Sequence, residues 1–175
     1  MTGFVLGVAL GYCAAALLPT GIAHLFRLPS FAALVAGHGL VTPRMAPVVA
    51  VGTGLAEVGI GASALVAIVT GGPGRPVLGA ALLLGIAFVV YLAGLLRRPD
   101  TGLGCGCTPL SGPVTGTAVL PGAALAAVCA LALLGVAVAP AAPAVFGAAW
   151  GATLAVAVLL VPASTPDPAV EPGRA

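Results

Sequence analysis

Residues 46–70 read APVVAVGTGLAEVGIGASALVAIVT, and this stretch decides the fold. It carries a single charged side chain, Glu57, in an otherwise almost wholly apolar run. About 20 predominantly apolar residues are enough for a helix to cross the hydrocarbon core of a bilayer. The run is continuous rather than alternating, which disfavours a strand of a membrane β-barrel. Because Gly71-Gly72-Pro73 follows as a turn, the sequence predicts a membrane-spanning helix over 46–70.

Similar apolar runs occur elsewhere in the chain, at 3–23, 77–96, 117–139 and 144–161. The whole sequence is 61% hydrophobic and only 6% charged, whereas a soluble domain has about 25% charged residues. We therefore predict an all-α membrane protein, a bundle of about five transmembrane helices forming one domain over 1–162. Residues 163–175 are rich in Pro and Ala, and we expect a disordered tail. No Lys or Arg precedes the first run, so we expect a retained helix rather than a cleaved signal peptide.

The segment 28–40, after the first run, is too short to span a membrane. Pro29-Ser30 is typical of a helix start with Ser30 as the cap. Phe31, Leu34, Val35 and His38 then follow at helical spacing. The pattern favours a short interfacial helix, and a plain loop is the alternative.

The arginines predict an orientation. One side of the predicted bundle collects most of them, namely Arg27, Arg44, Arg97, Arg98 and Arg174, and the other side has Arg75. The positive-inside rule places the arginine-rich side in the cytoplasm of a multi-pass plasma-membrane protein. The loop after Arg98 would then face the cytosol, although disulfides normally persist in oxidising compartments. Which side this loop faces therefore stays open.

That loop contains the candidate reactive pair, Cys105-Gly106-Cys107. Two thiols one residue apart can form a strained disulfide, and strained disulfides are the labile, catalytic kind. The flanking glycines let the backbone bend tightly, and nearby Arg97 and Arg98 favour a thiolate. Two alternatives remain: incidental loop cysteines, or a metal site that would need further ligands. The histidines do not stand at any metal-motif spacing.

Glu57 is the second candidate, because a carboxylate near the middle of a spanning helix is costly and marks a functional or helix-pairing site. A proton relay or a quinone contact is one interpretation, and a structural hydrogen bond to another helix is the other. His24 and His38 are expected to be polar anchors near the interface. Cys13 and Cys129 lie inside apolar runs and are expected to pack as small hydrophobes, with an electron relay as the alternative.

The order of these motifs resembles the MauE family of methylamine utilisation proteins, within the wider DoxX-like membrane proteins. Four short elements carry the resemblance: Phe26-Arg27-Leu28-Pro29-Ser30-Phe31, Val41-Thr42-Pro43, Glu57-Val58-Gly59-Ile60-Gly61 and Cys105-Gly106-Cys107. Members typically follow the cysteine pair with Phe-Gly, and here Thr108-Pro109 stands in that place. The likeness covers about 3–161.

The resemblance implies thiol–disulfide exchange during maturation of periplasmic proteins. The implied client is methylamine dehydrogenase or a similar disulfide-rich enzyme, and the implied partner is thioredoxin-like. Cys105 and Cys107 would exchange disulfides as a thiol–disulfide oxidoreductase component. Glu57 would either tune the bundle interior or shuttle a proton, and a quinone is the cofactor that these roles would accommodate. Two other interpretations stay open: a non-enzymatic scaffold or assembly factor, and a small-solute or metal transporter that uses Glu57.

Overall fold

The computed structural model describes residues 2–97, 116–135 and 151 of the chain. Within these ranges every regular element is a helix, and no strand is present. The helices are α1 (Thr2–Phe26), α2 (Leu28–Gly37), α3 (Ala46–Thr70), α4 (Gly74–Leu96) and, after a 3₁₀ turn at Gly116–Val119, α5 (Leu120–Leu133). Three of them are long and apolar enough to cross a membrane, namely α1, α3 and α4. The predicted all-α membrane bundle is confirmed.

The helix ends follow from local chain chemistry. Helix α3 has the predicted bounds, because Gly71 takes a left-handed conformation (φ 67°) and stops the helix. Helix α4 begins at Gly74 rather than at the predicted residue 77. Pro76 is tolerated there, because a proline in the first helical turn lacks only an N–H that would have no helical partner.

The short helix predicted after the first span is present as α2. Its cap is Arg27 rather than Ser30, and no side chain makes a capping hydrogen bond. Pro29 lies in its first turn, so the prediction of Ser30 as the cap was wrong. Pro29, with its φ pre-set for a helix, allows the helix to begin at Leu28, three positions earlier than a Ser30 cap would set.

The fourth predicted span, 117–139, is shorter than expected. Its α-helical part is α5, which ends at Leu133, and Gly135 follows with φ 70°. A left-handed glycine at this position terminates a helix even though the apolar sequence continues. Of the fifth predicted span, 144–161, the structure describes only Gly151, which lies against the backbone of Val8 and Tyr12 in α1. The predicted tail over 163–175 lies outside the described residues.

Helices α1 and α3 form the main packing seam and run antiparallel. Gly54 of α3 faces Leu25 of α1, and Gly61, two turns later, faces Leu18. The buried face of α3 consists mostly of small residues at helical spacing: Ala46, Ala50, Gly54, Glu57, Gly61, Ala64 and Ala67. Small side chains allow the close backbone approach on which helix association in lipid depends. A second such contact joins α4 to α5, where Gly85 meets the backbone of Gly122 and Ala126.

Large apolar side chains cover the opposite faces. On α3 and α4 the exposed ones include Val48, Leu55, Val66, Val69, Leu83, Ile86 and Val90. Exposing such a surface to water would be unfavourable, whereas lipid tails solvate it. The distribution of small residues inside and large residues outside is therefore that of a membrane bundle.

Candidate functional site

Glu57 is buried on the inner face of α3, with 2% of its surface exposed. Its Oε2 atom lies 2.7 Å from Nδ1 of His24, which α1 presents from its last turn. Either the imidazole N–H donates to the carboxylate or a protonated Glu57 donates to the imidazole nitrogen. The buried acid is thus paired across the α1–α3 seam, as a polar group in a membrane interior requires.

His24 is held in place by neighbours on two other helices, α3 and α2. Its ring stacks on Phe31 of α2, with the ring centroids 4.0 Å apart and the planes 4° from parallel. One turn before it on α1, Thr20 donates a hydrogen bond to the carbonyl of Ala16 at 2.8 Å. The α1 helix therefore turns a short polar stripe, Thr20 and His24, towards Glu57.

A second polar pair joins α2 to α4. Nδ1 of His38 lies 2.7 Å from the hydroxyl oxygen of Tyr91, and His38 is 2% exposed. Both histidines are thus part of the bundle interior rather than polar anchors at its edge. Among the described residues, no buried side-chain nitrogen or oxygen lacks a hydrogen-bond partner.

The two polar pairs line one cavity of about 260 Å³ inside the bundle. Its polar lining residues are Tyr12, Thr20, His24, His38, Thr53, Glu57 and Tyr91, and the rest of the wall is apolar or aromatic. Ligand pockets have this composition, and their volumes begin at about 300 Å³. The cavity is therefore suited to a small ring with a few hydrogen-bonding atoms rather than to a large ligand.

The cysteines divide into two groups. Cys105 and Cys107 lie outside the described residues, so their proposed role stays a prediction. Cys13 of α1 and Cys129 of α5 are fully buried, and their Sγ atoms lie 3.6 Å apart. The sequence favoured two small hydrophobes over an electron relay, and it did not show that the fold brings the two thiols together.

Signals for the missed residues were present but weak. Thr20 and His24 stand four positions apart on an apolar helix, a spacing that puts them on one face. No comparable signal joins Cys13 to Cys129, which are 116 positions apart. Across the part of the chain that the structure describes, no three His, Cys, Asp or Glu side chains gather in a way that could hold a metal ion.

Comparison with known proteins gives one match. A family model described as methylamine utilisation protein MauE matches residues 1–138. No curated protein and no solved structure matches the chain. The matched range includes every helix described above.

Proposed function

Because this chain belongs to the MauE family, we propose that it supports thiol–disulfide exchange during maturation of extracytoplasmic proteins in methylamine utilisation. It would act as a multi-pass protein of the plasma membrane. Its partner would be a thioredoxin-like protein, and its client a disulfide-rich enzyme such as methylamine dehydrogenase. The family description supports the metabolic setting, and the apolar helices support the membrane location.

The cavity is the observation that carries this proposal. Oxidation of the loop thiols requires an electron acceptor, and a lipid-soluble quinone bound in the cavity would meet that need. The quinone ring would fit the apolar and aromatic wall, which includes Phe31 and Phe88. Its carbonyl oxygens would accept hydrogen bonds from groups such as the Tyr91 hydroxyl. The volume of about 260 Å³ suits the headgroup, and the lipid tail would extend into the bilayer.

The proposed reaction has a simple balance. On forming their disulfide, Cys105 and Cys107 would release two electrons and two protons, and a bound quinone would supply the acceptor for both. Glu57 and His24 share a hydrogen bond on the cavity wall. They would deliver protons to the ring, since a hydrogen-bonded acid–imidazole pair can exchange a proton in either direction. The oxidised cysteine pair would then oxidise the thioredoxin-like partner.

A trapping experiment tests the cysteine pair. Thiolate attack proceeds through a mixed disulfide, so removal of the resolving thiol should leave the partner covalently attached. We expect one of the variants Cys105→Ser and Cys107→Ser to accumulate a reductant-sensitive adduct on non-reducing gels. The double variant is the matched control and should show none. Absence of an adduct from either single variant, with client disulfides unchanged in the double variant, would overturn the proposal.

A non-enzymatic scaffold is the second candidate. The His24–Glu57 pair favours it, because the pair ties α1 to α3 in the way a purely structural polar contact would. The two functions differ in what they need from the loop cysteines. A scaffold would keep full client maturation in the Cys105→Ser/Cys107→Ser double variant, whereas an exchange protein would lose it.

A further inference from the structure

Cys13 and Cys129 form a close pair of thiols in the core of the bundle. Their Sγ atoms are 3.6 Å apart, and both side chains are fully buried. A disulfide has an S–S length of about 2.05 Å, so bond formation requires an approach of roughly 1.5 Å. Cys13 lies near the middle of the membrane span Phe4–Phe26. No water-soluble protein reaches a buried thiol at that depth.

The quinone-sized cavity approaches this pair closely. Its wall includes Ala16 and Leu17, which follow Cys13 by three and four positions on α1, and Leu125, which precedes Cys129 by four positions on α5. Residues three and four apart are neighbours on a helix surface. On α1 the wall also includes Tyr12, which directly precedes Cys13, and on α5 it comes within about one helical turn of Cys129.

We propose that Cys13 and Cys129 are a second redox-active pair, which a lipid-soluble quinone in the cavity oxidises to a disulfide linking α1 to α5. The inference rests on the quinone assigned to the cavity under the proposed function. Two S–H bonds break and one S–S bond forms. The two electrons and two protons pass to the quinone, whose carbonyl oxygens become the hydroxyls of a hydroquinone.

The link would join two helices that touch different parts of the bundle. Helix α1 packs chiefly on α3, and α5 packs chiefly on α4. A covalent bond between α1 and α5 would fix these two helix pairs together beside the cavity. The redox state of the pair would thus set the rigidity of the wall that holds the quinone.

The Cys105→Ser/Cys107→Ser double variant isolates the pair, since the chain has four cysteines and only Cys13 and Cys129 then remain. The purified, reduced variant is treated anaerobically with decylubiquinone in detergent, denatured in acid and labelled with a PEG-maleimide. We expect labelling to fall from two thiols to none, with one hydroquinone formed per protein. A disulfide-linked peptide that contains Cys13 and Cys129 should appear, with a mass two hydrogen atoms below the sum of the two reduced peptides. A further Cys13→Ala substitution is the matched control, and it should keep its one label.

Parallel measurements separate the possible failures. Decylubiquinone binding is followed by its effect on thermal unfolding in the Cys13→Ala control. If decylubiquinone binds but both thiols of the double variant are still labelled after treatment, this inference is overturned and the proposed function stands. Absence of binding overturns the quinone assignment and this inference together. Ferricyanide, which does not enter the bundle interior, should leave both thiols intact, and equally fast oxidation by ferricyanide would refute the access through the cavity.

Discussion

Substitution of Gly21 by alanine should separate α1 from α3 at the point where Glu57 sits. A Cβ atom at Gly21 would lie 2.7 Å from Cβ of Glu57 and 2.9 Å from both Cγ2 and the backbone nitrogen of Val58. Non-bonded carbon atoms prefer about 3.5–4.0 Å. A rotamer change cannot relieve contacts with a backbone atom and a Cβ, so the helices themselves must move apart.

The magnitude follows from two opposing effects. Overpacking of this kind costs about 1–3 kcal/mol, and alanine improves helix propensity over glycine by about 1 kcal/mol. We therefore expect Gly21→Ala to lower the free energy of unfolding by about 1 kcal/mol. It should also lengthen the 2.7 Å contact between His24 and Glu57, because Glu57 is the first residue displaced.

Gly59→Ala is the matched control. Gly59 is an exposed residue of α3, and a Cβ there meets nothing within 4 Å. The same substitution should therefore stabilise the protein by up to about 1 kcal/mol through helix propensity alone. Unfolding by SDS titration in mixed micelles measures both variants, and their difference should be about 2 kcal/mol. Equal stability of the two variants would refute the close α1–α3 crossing.

Three further predictions concern the site and the topology. Glu57→Ala leaves His24 without its carboxylate and should lower the free energy of unfolding by about 3 kcal/mol. Glu57→Gln should keep the protein level unchanged and slow quinone reduction. Full tolerance of both substitutions would remove any special role for this acid. Ala87 lines the cavity, so Ala87→Phe should weaken decylubiquinone binding at least tenfold, and Ala80→Phe, two turns earlier on α4 and outside the cavity, should not. The sequence predicts five spanning helices, and we therefore expect reporter fusions at the two ends of the chain to report opposite compartments. The same compartment for both would mean a miscounted span.

The helices with strong local signals were predictable from sequence. Helix α3 has the predicted bounds because an apolar run and a Gly-Gly-Pro turn coincide there. Helix α1 continues to Phe26, three residues beyond the predicted end, through His24. A histidine is compatible with the bundle interior there because Glu57 of α3 pairs with it, and no local pattern encodes that contact. The end of α5 was missed because one glycine, Gly135, adopts a left-handed conformation inside an apolar run.

The site residues also divide into those that the sequence could predict and those that depend on helix packing. Glu57 could be singled out because a carboxylate near the middle of a spanning helix is costly in any packing arrangement that leaves it unpaired. Its partner, the cavity and the Cys13–Cys129 contact all depend on how α1 packs against α3 and α5. Those arrangements depend on small-residue contacts such as Gly21 and Gly54, which are spread over a glycine-rich sequence that offers many equivalent registers.

The short helix α2 has a kinetic consequence. Four helices of the bundle meet at glycines with their backbones nearly touching, as at Gly54 and Gly85, whereas α2 is joined to α4 by the His38–Tyr91 hydrogen bond. Breaking such a bond costs about 1 kcal/mol net, far less than parting two close-packed spanning helices. A ligand would therefore enter and leave the cavity between α2 and α4. Loss of the His38 imidazole in a His38→Phe variant should speed the release of bound decylubiquinone in stopped-flow measurements. An unchanged release rate would exclude this route. The residence time of a lipid-soluble molecule in this protein would then depend on a ten-residue helix that does not itself cross the membrane.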